Sequence, residues 1–78
     1  MQEFQTTVRC IATDAPEVIS VRLYNDNDYV QLLTERTKGD WEWITILSLL
    51  TIFQFPKEWE EKLVGMLDKD EVENYLSL

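Results

Sequence analysis

Apolar and polar positions alternate along the first third of the chain, give way to an uncharged block, and end in a helical period. From Phe4 to Ala12, the residues Phe4, Thr6, Val8, Cys10 and Ala12 fall on one side. Glu3, Gln5, Thr7 and Arg9 fall on the other, with Ile11 out of pattern. A period of two predicts a half-buried strand. Thr13-Asp14-Ala15-Pro16-Glu17 is expected to interrupt it, because Pro16 lacks a backbone N–H and biases Ala15 away from helix. Alternation resumes from Val18 to Tyr24, with Ile19, Val21 and Leu23 apolar and Ser20, Arg22 and Tyr24 outward. In the following YNDNDY, Asn and Asp favour a turn because they tolerate left-handed backbone and hydrogen-bond locally. A hairpin folded there sets Tyr24 opposite Tyr29, Leu23 opposite Val30 and Val21 opposite Leu32, and the two sides match in polarity at nearly every pair.

A third strand is expected over Tyr29–Thr37, turning at Lys38-Gly39 into the Trp41 stretch. That second hairpin sets Leu33 opposite Ile44, Thr34 opposite Trp43 and Glu35 opposite Glu42, the last a mildly unfavourable like-charge pair. The stretch Trp41–Phe55 is the one the chain is organised around, and from Trp43 to Pro56 its 14 residues carry no charge. Trp-Glu-Trp-Ile-Thr-Ile is rich in the aromatic and β-branched residues that suit a pleated surface. Ser48 can cap a helix. The segment is therefore divided into a strand over Trp41–Leu47 and a short helix over Ser48–Phe53.

Beyond it, Pro56 suits a first helical position, and Trp59, Leu63, Met66 and Leu67 recur at helical spacing. Gly65 costs about 1 kcal/mol relative to Ala there, unless a close contact needs it. Asp68-Lys69-Asp70-Glu71 reads as a capping box opening a last helix, whose buried stripe is Val72, Tyr75 and Leu76. The fold class expected is α+β: an antiparallel three- to four-stranded meander followed by two or three short C-terminal helices, as a single domain over residues 1–78.

At 78 residues, 45% hydrophobic and with one cysteine, the chain is too apolar for disorder, and no internal disulfide supports its fold. A reducing, cytoplasmic setting is the simplest expectation. The uncharged run is shorter than the about 20 residues a membrane helix needs, and MQEFQTTVRC lacks the basic start of a signal peptide. The net charge of −8 opposes direct contact with nucleic acid or with anionic membranes and admits a basic protein partner.

Catalytic chemistry is poorly supplied. With no histidine, the commonest general base and metal ligand is missing. Cys10 is expected to be a buried, inert thiol on the apolar side of its strand. Two glycines do not make a phosphate-cradling loop, and one cysteine does not make a thiolate zinc site. Asp26-Asn27-Asp28 and Asp68-Lys69-Asp70 share the opening spacing of a calcium loop. Its sixth position requires glycine, and here it is Gln31 and Glu73. A turn and a helix cap account for both. Carboxylate pairs suited to glycoside hydrolysis would need a cleft that a chain of this size rarely encloses. No catalytic residue, metal or cofactor is expected.

What remains is charge asymmetry. Residues 1–38 hold six acids and four bases, and residues 39–78 hold nine acids and three bases. An acidic helix face is ordinarily just solvated, yet a one-signed field also steers an oppositely charged partner. The expected role is a small, acidic, non-enzymatic binding module. As an inhibitor or adaptor, it would dock Glu58, Glu61, Asp70 and Glu73, with Trp41 as an aromatic contact, on a basic, nucleic-acid-binding protein. Its carboxylates would mimic nucleic-acid phosphates. The alternative is a structural subunit of a homodimer or larger assembly that uses Trp41–Phe55 as its interface.

Overall fold

The computed structural model describes residues 1–24 and 28–77. Its sheet has five antiparallel strands: β1 (Gln2–Cys10), β2 (Ala15–Leu23), β3 (Tyr29–Leu33), β4 (Glu42–Thr45) and β5 (Phe53–Gln54). In space they run β4-β3-β2-β1-β5. Three helices complete the fold, α1 (Ile46–Ile52) between β4 and β5, then α2 (Lys57–Val64) and α3 (Lys69–Leu76). The class is the expected α+β meander followed by helices, but the strand count is five rather than three to four. The fifth strand is only two residues long, too short for any periodicity to mark it.

The first two hairpins follow the alternation pattern. β1 pairs with β2 from Gln2–Leu23 to Cys10–Ala15, and β3 pairs with β2 with Val21 opposite Leu32 and Arg22 opposite Gln31, the register the polarity match predicts. The turn expected at Asn25-Asp26-Asn27 lies outside the described residues. Pro16, expected to break the chain, instead lies within β2 opposite Arg9. Proline is tolerated at strand starts and where a second partner is missing, and β3 pairs with β2 only over Ser20–Arg22. The bend falls earlier, at residues 11–14. Asp14 there takes a left-handed φ of 54°. Its N–H donates to the Cys10 carbonyl at 2.8 Å, and its own carbonyl accepts from Arg9 Nη1 at 2.7 Å.

The third hairpin differs from expectation. β3 ends at Leu33, and Glu35–Thr37 form a 3-10 turn rather than strand. The Thr37 hydroxyl accepts from the Thr34 N–H at 3.1 Å and donates to the Thr34 carbonyl at 2.8 Å. Lys38 (φ 53°) and Gly39 (φ 89°) then reverse the chain through two left-handed residues. This wider connection moves the register so that Gln31 faces Trp43 and Leu32 faces Glu42. The like-charge pair disappears, and Glu42 lies 3.7 Å from Arg36 instead.

One consequence concerns Thr34, whose buried hydroxyl has no hydrogen-bond partner among the described residues. Thr34→Val keeps the shape and the extended backbone while removing an unsatisfied buried oxygen. It is expected to raise stability by about 1 kcal/mol, read as a higher urea midpoint at unchanged slope. A lower midpoint would count against an orphaned hydroxyl.

Strand gives way to helix earlier than the sequence pattern places it. Thr45, not Ser48, is the cap: its Oγ1 accepts from the Ser48 N–H at 3.1 Å, and Leu47 belongs to α1. Ile46, Leu49 and Leu50 are buried on the sheet side of α1, followed by Phe53 and Phe55. The helix joins opposite edges of the sheet. Laid flat, five strands at about 4.8 Å spacing would hold β4 and β5 about 19 Å apart. Seven helical residues span only about 10 Å. The sheet is accordingly curled around α1, and the core fills the concavity, where Val21, Val30, Leu32, Leu49 and Leu63 are fully buried.

α2 and α3 lie toward β1. Pro56 caps α2 from just outside it, its extended backbone (ψ 146°) offering its carbonyl to the N–H groups of Trp59 and Glu60. The Trp59 ring stacks on Phe4 with centroids 3.6 Å apart. Gly65 closes α2, and a Cβ there would stand 3.3 Å from the Glu61 carbonyl oxygen, the close approach that accounts for glycine. The capping box at α3 forms as expected: Glu71 N–H donates to Asp68 Oδ1 at 2.9 Å, and Asp68 N–H donates to Glu71 Oε1 at 3.3 Å. Leu76, expected in the buried stripe, is instead 73% exposed, while Tyr75 of α3 packs against the core and Val72 is half-buried.

Candidate functional site

Two surfaces stand out, one helical and one on the sheet. On α2, Glu58 and Glu61 are exposed at i, i+3 spacing, and on α3 Asp70 and Glu73 repeat that arrangement. A three-residue offset places both members of each pair on one helix face. None of the four side-chain carboxylates has a hydrogen bond or ion pair among the described residues. The remaining acids of these helices are engaged. Glu60 accepts from the Tyr75 hydroxyl at 3.1 Å, and Asp68 and Glu71 cap α3. Glu58 and Lys62 have the spacing for an i, i+4 ion pair, but Lys62 turns elsewhere. It donates to Gln2 Oε1 at 2.7 Å and lies 5.4 Å from the Trp59 ring.

The ion pairs among the described residues, Arg9–Asp14, Arg22–Glu3 and Arg36–Glu42, all belong to the strands and their connections. Glu58, Glu61, Asp70 and Glu73 therefore lack a counter-charge among the described residues, whereas Glu3, Asp14 and Glu42 are each paired with an arginine.

Trp41 is not part of that helical group. Cross-strand partners share a face, so the row Glu3, Arg22, Gln31, Trp43 lies on the side of the sheet opposite Phe4, Val21 and Leu32. On that open side the Arg22 guanidinium sits 3.8 Å over the Trp41 ring, and its Nε donates to Glu3 Oε1 at 2.8 Å. Tyr24 packs against Trp43 with centroids 5.3 Å apart and donates its hydroxyl to Gln31 Oε1. Trp43 remains 54% exposed. Alternation alone does not find this aromatic face, because Trp43 joins it only through the β3–β4 register.

A groove of about 690 Å³ runs between α3 and the β1–β5 end, lined by Ile11, Leu50, Phe53, Glu60, Tyr75 and Leu76 among others. Burial, and then the hydrogen bond to Glu60 and its charge, push the Tyr75 hydroxyl above its ordinary pKa. Cys10 corrects an expectation: it is half-buried, not buried, because it ends β1 beside the turn. The Thr13 hydroxyl, and after it the Thr13 backbone, hold its thiol below the ordinary value. Among the described residues, no group of three His, Cys, Asp or Glu side chains is placed to hold a metal ion.

Five residues of Trp41–Phe55, Ile46, Leu49, Leu50, Phe53 and Phe55, are buried in the chain's own core. No helix among the described residues is long and apolar enough to cross a membrane. The groups left at the surface, free carboxylates and aromatic rings, are suited to noncovalent contact. No known family model matches this chain, and no curated protein or solved structure does.

Proposed function

We propose that this chain is a non-enzymatic protein-binding module that docks Glu58, Glu61, Asp70 and Glu73 on a basic partner. A protein whose own ligand is nucleic acid fits best. Carboxylates spaced along two helices occupy it in place of backbone phosphates, so the module acts as an inhibitor or adaptor. The observation that carries this reading is the four exposed carboxylates of α2 and α3 without a counter-charge among the described residues, where Glu3, Asp14 and Glu42 elsewhere are paired with arginines. Self-repulsion among free carboxylates costs stability without aiding the fold, whereas a basic surface converts it into attraction and a faster encounter. A reducing, cytoplasmic setting accords with the single cysteine.

Charge reversal tests it. The triple variant Glu58→Lys, Glu61→Lys, Glu73→Lys leaves untouched the cap residues Asp68 and Glu71 and the Tyr75 partner Glu60. It is expected to fold as stably as the parent or slightly more so. Against immobilised basic DNA-binding proteins, the parent should associate quickly, lose rate steeply as salt rises, and be displaced by duplex DNA. The variant's on-rate should fall about 10- to 100-fold, with a shallower salt dependence. A folded variant that associates as fast as the parent would remove the helical face from the interface.

A further inference from the structure

The edge of the sheet at β4 is unfinished. In an antiparallel ladder, pairs that exchange hydrogen bonds alternate with pairs that do not. The Ile46 N–H donates to the Asp28 carbonyl at 2.9 Å, which continues the β3–β4 register by one pair beyond Tyr29–Thr45. Counting back, Ile44 bonds with Val30 and Glu42 with Leu32. Trp43 and Thr45 therefore turn their backbone N–H and C=O away from β3, toward the outside of the sheet. The Thr45 carbonyl opens the hydrogen-bonding of α1, since Thr45 is its cap. Left at the edge are the Trp43 N–H and C=O, the Thr45 N–H and, one step further out, the Trp41 C=O. β4 is the last strand of the sheet, and no described strand meets these groups.

We propose that this edge pairs antiparallel with β4 of a second copy about a two-fold axis through Trp43, giving a homodimer with one continuous ten-stranded sheet. The unmet groups are self-complementary about that residue. Trp43 of each copy bonds reciprocally with Trp43 of the other, and each Thr45 N–H donates to the Trp41 carbonyl across the axis. Two donors and two acceptors per copy become four hydrogen bonds. A residue facing itself also keeps the two sheets' faces in phase. The Trp43 rings, each 54% exposed and backed by Tyr24, thereby become cross-strand neighbours on one surface.

A net charge of −8 resists bringing two copies together. However, the four free helical acids lie away from the β4 edge: α2 packs on β1, through Phe4–Trp59 and Gln2–Lys62, three strands from β4. Outside β4, the carboxylate nearest that edge is the exposed Asp40 beside Trp41. At the β4 edge itself Glu42, an edge charge that would otherwise deter pairing, is held by Arg36 at 3.7 Å. The dimer stands independently of the docking role, since it uses neither α2 nor α3.

Light scattering and disulfide trapping test the pairing on the full chain. At tens of micromolar the parent should give twice its 9.3 kDa mass, and added salt should preserve or favour the dimer by screening like charge. Trp43→Pro removes an N–H that points away from β3, so it should give a folded monomer. In a Cys10→Ser background, Trp43→Cys should form an intermolecular disulfide rapidly on mild oxidation. Facing bonded residues sit about 5.5 Å apart between Cα atoms, within disulfide reach. Thr45→Cys in the same background should not cross-link, because the two-fold register holds its copies four residues apart. A monomer mass for the parent at every concentration and salt overturns the proposal. So does trapping at residue 45 in preference to residue 43.

Discussion

Truncating Leu32 to alanine is expected to cost about 3 kcal/mol, and truncating its neighbour Gln31 less than about 1 kcal/mol. Leu32 has no exposed surface and lies in the concavity opposite Val21, so deleting its side chain leaves a hole lined by β2, α1 and the other core residues. Gln31 points to the other face and contributes a hydrogen bond to the Tyr24 hydroxyl at the surface. A domain of this size has roughly 5–10 kcal/mol in total, so the Leu32 variant should lower the melting temperature by at least about 12 °C. Urea melts of the two variants side by side give the answer. If Gln31→Ala proves the more damaging, the faces of the sheet are assigned the wrong way round.

Trp59→Ala should cost about 3 kcal/mol for a different reason. Its ring lies flat on Phe4, at an interplanar angle of 6°, and with Leu63 it fixes α2 to the sheet. Eight residues of helix are too few to persist without such packing. α2 and the α3 that follows it are therefore held by tertiary contact rather than by propensity. Losing the stack should lower the urea midpoint and reduce the far-ultraviolet helical signal below the main transition. Trp59→Phe, which keeps a stacked ring, should recover most of both. If Trp59→Ala melts within about 0.5 kcal/mol of the parent, the helices are anchored elsewhere, and the acidic face would not have the rigid support the docking role assumes.

The particular elements show why parts of the fold are legible in the sequence. The β2–β3 register follows from alternation because it places Val21 against Leu32 on one face and Arg22 against Gln31 on the other, and a one-residue slip would expose the whole apolar set. The α3 cap is legible because Asp68 and Glu71 act within one turn, through contacts set by spacing alone. Glu58, Glu61, Asp70 and Glu73 are identifiable as exposed for the same local reason, since they fall away from the apolar period of their helices.

What the sequence alone determined is thus whatever neighbours in the chain decide between themselves: two hairpin faces, one cap, the helical period and the sign of the charge. The tertiary structure decided the rest. The 3-10 turn after Leu33 shifted β4 and sent Trp43 and Trp41 to the open side with Arg22. The span between sheet edges, together with the Thr45 cap, brought α1 forward and turned Phe53–Gln54 into a fifth strand against β1. Lys62 took partners in β1 and on Trp59 rather than Glu58, which left the helical acids without counter-charge. Each of these depends on residues distant in sequence competing for the same space or the same partner. Local period and propensity do not record that competition, and burial in the curled sheet resolves it.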